Sequence, residues 1–340
     1  MGKVVKIFLK RGFVPIDKSI FEVGTKVDFD CYIQRFNGYA IIIEAGTSVD
    51  EKLHKQITKE KLQIFIGNVD YSEYKDYIQE NKNPKEFVQN ILNLEEEIRK
   101  SLTIENILSN EPLSSEKLKH IYNQGKNLIN AWLIEKNSKR LPVNAFDCLA
   151  ENTVMIINDN EITLSTLNEF IDVNYSLATH LLNVSLFTSL IANQLDLDLD
   201  DQKKLVLSGL LHDIGKTEID ENLIDKPDFL TEKEFDIVKK HVVESVFIVK
   251  KAGLKDRLIT EAIKHHHERF DGSGYPDGLY KKQISQFGQV LGVCDIFDAL
   301  ITIKPYRGAY STYNALKLIA KENKNKLNMK FVNIFIKLLR

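Results

Sequence analysis

Leu210-Leu-His-Asp-Ile-Gly-Lys216 and, further along, His266-His-Glu-Arg-Phe-Asp-Gly-Ser-Gly-Tyr-Pro276 decide the reading of this chain. In the first stretch an apolar run ends on an imidazole and a carboxylate side by side, His212 and Asp213. In the second, adjacent histidines precede a glycine-containing turn. Six of the eight histidines, His180, His212, His241, His265, His266 and His267, lie between residues 180 and 267, each near a helical pattern rather than in a His-rich tail. Imidazole and carboxylate without thiolate form a donor set that suits Fe, Mn and similar ions better than structural zinc. Two such ions side by side lower the pKa of a shared water, hold phosphate oxygens and absorb charge developing at phosphorus. A carboxylate can bridge two ions through its two oxygens, which an imidazole cannot. Asp213 is therefore the natural bridging ligand, with His212 on one ion.

Outward from these motifs, residues 165 to 340 read as helical. Asp200 or Asp201 can cap a helix running toward His212. Thr231-Glu-Lys-Glu234 is a capping box that opens a helix carrying His241, and Ser311 or Thr312 can cap a helix through Lys321. The first 69 residues have a different texture. Val4–Leu9, Val27–Ile33, Tyr39–Ile43 and Leu62–Ile66 are strand candidates, with Asn37-Gly38 marking a tight turn. Ser48-Val-Asp-Glu51 predicts a short helix at about 49 to 60. Between these halves, Tyr71–Asn81, Pro84–Leu108 and Ser115–Lys136 have helical spacing. The predicted architecture is mainly α: a small α+β, β-rich N-terminal domain (1–69), a helical connector (70–160) and an all-α bundle (161–340).

The Leu210–Lys216 segment resembles the HD superfamily of metal-dependent phosphohydrolases, and His266–Pro276 is similar to the HHExxDGxGYP signature of its HD-GYP branch. His180, His241, Val293-Cys-Asp-Ile-Phe-Asp-Ala-Leu300 and Lys304-Pro-Tyr-Arg307 fall in the order that the resemblance requires, over roughly residues 165 to 320. The resemblance implies that His180, His212, Asp213, His241, His266, His267 and Asp295 are metal ligands, with Asp213 bridging and catalytic. It implies that Lys216 contacts a substrate phosphate, that the loop of Gly274 and Tyr275 walls the pocket, and that Lys304 and Arg307 reach the other phosphate or a guanine. Lys304 stands where the family usually has Arg, which keeps the charge and loses the bidentate geometry. Ser176 stands where family members with a third metal carry Glu, so two divalent ions, Fe or Mn, are expected.

The activity implied is hydrolysis of cyclic di-GMP to linear pGpG and GMP, with a bridging hydroxide as nucleophile. The alternatives are a cyclic-dinucleotide-binding signalling module with little turnover, and hydrolysis of another cyclic dinucleotide such as cyclic GMP-AMP. Among neighbouring residues, His265 reads as capping or packing, Asp298 as a local or pocket-supporting hydrogen-bond partner, Glu268 as a partner to a histidine, and Asp271 as structural.

Bulk properties narrow the partners. The net charge of -2 in 340 residues argues against a protein that coats a nucleic-acid polymer. No apolar run reaches the roughly 18 residues of a membrane helix. Cys31, Cys148 and Cys294 form no CxxC pair, which suits a reducing, cytoplasmic setting. The sensor-like layout leaves room for a homodimer through the connector and for protein partners at the N-terminal domain or the GYP loop.

Overall fold

A computed structural model describes residues 13–16, 21–35, 38–58, 64–67, 114–134, 141–159, 162–173, 175–224, 226, 229–303 and 308–338. The expected strand at Val4–Leu9 and the helices at 71–81 and 84–108 lie outside these residues. The chain divides into two compact units, Met1–Ile91 and Leu92–Arg340.

In the first unit, strands β1 (Phe13–Ile16), β2 (Lys26–Val27), β3 (Cys31–Arg35), β4 (Gly38–Ile43), β5 (Thr47–Ser48) and β6 (Ile64–Gly67) accompany one helix, α1 (Glu51–Ile57). A four-stranded antiparallel sheet runs β1-β6-β3-β4, and β2 pairs with β5. Cys31 and Ile33 on β3, and Ile64 and Ile66 on β6, are buried, as period-two alternation requires of a sheet with one covered face. The expected single strand Val27–Ile33 is broken, because Asp30 turns its carboxylate to the Ala45 backbone N–H at 2.7 Å. The helix cap is Asp50, which accepts from Leu53 N at 2.6 Å, while the expected cap, Ser48, is used in β5. The tight hairpin expected at Asn37-Gly38 is formed by β3 and β4, with Gly38 opposite Arg35 as the first residue of β4.

The second unit is helical: α2 (Ser114–Ile134), α3 (Val143–Asp159), α4 (Leu164–Asn168), α5 (Leu177–Asn193), α6 (Leu199–Leu211), α7 (Glu221–Ile224), α8 (Glu232–Val238), α9 (His241–Lys251), α10 (Arg257–His265), α11 (Gln286–Ile301), α12 (Thr312–Glu322) and α13 (Met329–Lys337). One apolar core joins Leu118, Phe146, Leu181, Leu210, Ile263, Leu291 and Phe331. Helices α2 and α3 fall inside the span read as a connector, yet their apolar faces belong to this core. No described helix is long and apolar enough to cross a membrane.

Helix α5 is buried along almost its whole length, from Ala178 to Ala192, and packs on α6, α11, α3 and α2. It is the axis of the bundle. Asp198 caps α6 by accepting from Asp201 N at 2.8 Å, two to three residues before the expected caps. Thr231 does form the expected capping box with Glu234, but the helix it opens ends at Val238. His241 instead begins a separate helix, α9.

Candidate metal centre

Helix ends and the interiors of two helices deliver the donors. His212 closes α6, and Asp213 follows at the start of a 3-10 turn, Ile214–Glu218. His241 opens α9, His266 terminates α10, and His180 and Asp295 project from the interiors of α5 and α11. Gly215 makes the junction possible: a Cβ there would lie 2.1 Å from the His241 carbonyl oxygen and 2.4 Å from Ser245 N. Its N–H donates to Ser245 Oγ at 2.8 Å, so the turn after Asp213 is pinned to α9.

All seven residues expected as ligands come together. Donor atoms of Asp213, His241, His266 and His267 lie within 4.8 Å of one another, as do those of His180, His212 and Asp295. Asp213 Oδ1 faces His241 Nε2 at 3.1 Å and His266 Nε2 at 3.7 Å; its Oδ2 faces His180 Nε2 at 3.2 Å and His212 Nε2 at 3.6 Å. One carboxylate thus addresses two sets of imidazoles, one with each oxygen. Asp295 reaches His180 Nε2 at 3.4 Å and His267 Nδ1 at 3.7 Å.

Hydrogen bonds behind the rings fix which nitrogen faces inward. His212, His241 and His266 each turn Nδ1 to the carbonyl oxygen three residues back, of Gly209, Val238 and Ile263, at 2.9, 2.6 and 2.6 Å. A carbonyl only accepts, so Nδ1 carries the proton and Nε2 presents a lone pair. Asp213 Oδ1, His241 Nε2 and His266 Nε2 are buried without a hydrogen-bond partner. Buried polar atoms are ordinarily satisfied, and three orphans converging on one point are what a cation would satisfy.

Electrostatics agree with that fit. Burial, aided by the neighbouring His266 and His180, pushes His212 down to about 3. Burial and His266 hold His267 well below its ordinary value. Burial works against the charge on Asp213, but Lys216, His212 and His241 hold its carboxyl well below the usual range; His180 and His267 do the same for Asp295. Neutral imidazoles beside ionised carboxylates are the protonation state that a metal needs. His180 differs: burial lowers it, but Asp213, Asp295 and Asp298 together drive it well above its ordinary value. Three carboxylates around one ring leave this point short of positive charge.

Lys216 lies at the rim, paired with Asp213 Oδ2. Tyr275 lies over His267 with ring centroids 4.7 Å apart, and Phe235, Lys239 and His241 also lie beside it. Gly274 sits where the loop packs tightly on itself. A Cβ there would meet Arg269 N and Glu268 Cα at 2.4 Å, so the missing side chain makes room for the protein's own backbone. Glu268 accepts from Asp277 N and Leu279 N at 2.7 and 2.9 Å, fastening the loop instead of orienting a histidine. Asp271 turns the same loop by accepting from Ser273. His265 accepts from Ser285 N at 3.1 Å, and Ser285 in turn caps α11. Ser176 caps α5 through Thr179 N, so its hydroxyl is engaged there. Lys304 and Arg307 lie outside the described residues.

The sequence reading gave no role to Asn183 and Tyr122. Asn183 Nδ2 donates to Asp298 at 2.8 Å, Tyr122 Oη donates to Asn183 Oδ1 at 2.9 Å, and Asp298 holds His180 Nδ1 at 2.7 Å. The spacing His180-x-x-Asn183 on one helix face was the only signal available.

Comparison with known proteins places this arrangement. The HD domain family model matches residues 154–330. A cyclic di-GMP phosphodiesterase of Pseudomonas aeruginosa is 34% identical over 147 residues, 43% of this chain and 36% of that protein. A 3'3'-cGAMP-specific phosphodiesterase of Vibrio cholerae is 35% identical over 132 residues, 39% of this chain and 30% of that one. A cyclic di-GMP phosphodiesterase of Thermotoga maritima is 31% identical over 176 residues, 52% of this chain and 47% of that protein. The chain therefore spans less than half the length of each of these relatives. Among solved structures, an HDG"Y"P protein from Bdellovibrio bacteriovorus superposes with a TM-score of 0.58 at 20% identity, covering 96% of this chain and 99% of that one, a likeness of fold. The chain belongs to the HD domain family and carries, at His266–Pro276, the motif of its HD-GYP branch.

Proposed function

We propose that this protein is a phosphodiesterase that uses two divalent ions, Fe or Mn, to hydrolyse cyclic di-GMP to linear pGpG and onward to GMP. The observation that carries the reading is the convergence of Asp213 Oδ1, His241 Nε2 and His266 Nε2, buried and unpartnered, beside a second donor set of His180, His212 and Asp295. In this reading His241, His266 and His267 would hold one ion and His180, His212 and Asp295 the other, with Asp213 offering one carboxylate oxygen to each set. A bound pair supplies a water of lowered pKa and neutralises phosphate charge.

The chain's own groups do the rest. Lys216, at the rim on Asp213, meets a non-bridging phosphate oxygen and stabilises the negative charge that gathers there. Tyr275 and its loop form a wall beside His267 that keeps the phosphodiester over the donors. Lys304 and Arg307 are assigned the second phosphate or a guanine, on the sequence resemblance alone. Three free cysteines suit a reducing compartment, and a cytoplasmic location is part of the proposal.

Purified chain reconstituted anaerobically with Mn(II) or Fe(II) and incubated with cyclic di-GMP should yield the linear dinucleotide on ion-exchange chromatography. Saturable binding with no linear product would overturn the enzymatic reading in favour of a signalling module. The likeness to a 3'3'-cGAMP-specific relative favours cyclic GMP-AMP as a second substrate. The ratio of kcat/KM for the two cyclic dinucleotides decides between them.

A further inference from the structure

The hydrogen bonds that end on His180 form a chain whose direction is set at its far end. The Asp172 backbone N–H, which can only donate, reaches Tyr122 Oη at 3.1 Å. The hydroxyl accepts there and donates its own proton onward to Asn183 Oδ1 at 2.9 Å. The Asn183 amide is thereby oriented, and its two N–H bonds go to Asp172 O at 3.1 Å and Asp298 Oδ1 at 2.8 Å. Both acceptors are oxygens, so exchanging the amide's O and N would set oxygen against oxygen. Asp298 is left with one acceptor oxygen, Oδ2, at 2.7 Å from His180 Nδ1. Nδ1 must be the donor, and Nε2 is the atom left for the centre.

Tyr122, Asn183, Asp298 and His180 are all buried, at 3% exposure or less, so water does not compete for these bonds. The chain also crosses the fold. Tyr122 is on α2, Asn183 and His180 on α5, and Asp298 on α11. Lys126, one turn after Tyr122, grips the Asp172 carboxylate at 2.6 Å and holds the same segment against α2.

We propose that Tyr122, Asn183 and Asp298 are positioning residues that commit His180 to metal binding through Nε2, and that Tyr122 makes the metal affinity of the centre depend on the seating of α2. The proposal rests on the two-ion reading above. It differs from packing in its consequence: losing the Tyr122 hydroxyl leaves the buried Asn183 Oδ1 without its donor and weakens the amide's hold on Asp298, and through it on His180, while the ring keeps its edge contact with Phe170.

The test is Mn(II) binding to the full chain, measured by competition with a chelator, together with thermal unfolding of metal-free and Mn(II)-loaded protein. Removing partners behind metal-bound histidines costs roughly 10- to 100-fold in affinity. Tyr122→Phe should fall near the low end of that range and Asp298→Asn near the high end, each narrowing the gain in Tm on loading. A hydroxyl that only packs would lower both unfolding temperatures together and leave the gain intact, and that result would overturn the proposal. If wild-type chain took up no Mn(II), the metal-centre reading itself would fall, a result distinguishable from failure of the relay alone. Should a variant not fold, the unmodified chain decides. With Zn(II) as a diamagnetic probe, nitrogen-15 histidine spectra should show His180 protonated at Nδ1 and metal-bound at Nε2; the reverse would overturn the proposal.

Discussion

The Nε2 atoms of His180 and His212 face each other at 3.1 Å, while each ring's Nδ1 is committed to an acceptor behind it. Three carboxylates favour the protonated form of His180, so its Nε2–H donates to the lone pair that the neutral His212 keeps on Nε2. A cation held by the two rings would take the place of that proton and tie α5 to the end of α6. Loading with Mn(II) should therefore raise the Tm of the full chain, and chelation should reverse the rise. At a free metal concentration 1,000 times the Kd the stabilisation is about 4 kcal/mol, read by calorimetry at several metal concentrations.

Asp213→Asn keeps the size of the side chain and removes the charge that both imidazole sets face. Metal content should drop below two ions per chain by elemental analysis, and turnover should fall by at least about 10³-fold, beyond the loss of one charge-stabilising donor. Unchanged metal content would remove Asp213 from the bridging position.

Lys216→Met retains the apolar stem and loses the ammonium. With the ions bound, Asp213 has other counter-charges, so metal content should stay at the wild-type value. The kcat for cyclic di-GMP should fall about 10²-fold, the scale of one lost donor to developing charge. A loss of metal instead of rate would show that Lys216 supports the centre and leaves substrate alone.

Gly215→Ala tests the junction between the 3-10 turn and α9. The added methyl has nowhere to go without moving the His241 carbonyl, and a destabilisation of about 3 kcal/mol is expected, at the upper end for overpacking. Ser245→Ala, which removes only the acceptor of Gly215 N–H, should cost about 1 kcal/mol. Urea unfolding of both variants gives the comparison.

Glu234 offers a pH test away from the metal centre. Its hydrogen bonds to Lys226 and to Thr231 pull its carboxyl down to about 2. A carboxylate with a depressed native pKa stabilises the fold above its unfolded value, near 4.3, and loses that contribution as the pH falls toward the native one. Amide exchange at Thr231–Glu234 should therefore accelerate, relative to its intrinsic rate, between about pH 4.5 and 2. Glu234→Gln should abolish that pH dependence.

What could be read from the sequence follows from how local the physics is. The candidate ligands stood out because imidazoles next to carboxylates are chemically unusual and the motifs are contiguous. The relay through Tyr122, Asn183 and Asp298 did not, because its members are separated by 61 and 115 residues and hydrogen-bond pairing has no period. Cap positions slipped where acidic residues crowd: Asp196, Asp198, Asp200 and Asp201 all offer an oxygen, and only the start of α6 selects Asp198. The break before His241 carries no Gly or Pro, only Lys239-Lys240. Strand β1, Phe-Val-Pro-Ile, was passed over, although its edge position tolerates Pro15.

The polarity of the relay originates in a main-chain donor, which gives it an unusual immunity. Almost any residue at position 172 supplies the same N–H, so exchanging side chains there leaves the direction of proton sharing toward His180 untouched. Proline alone lacks that hydrogen. Directionality toward His180 is thus inherited from the peptide bond itself, and drift at this position can retune the grip of Lys126 without reversing which ring nitrogen faces Asp213 and Asp295.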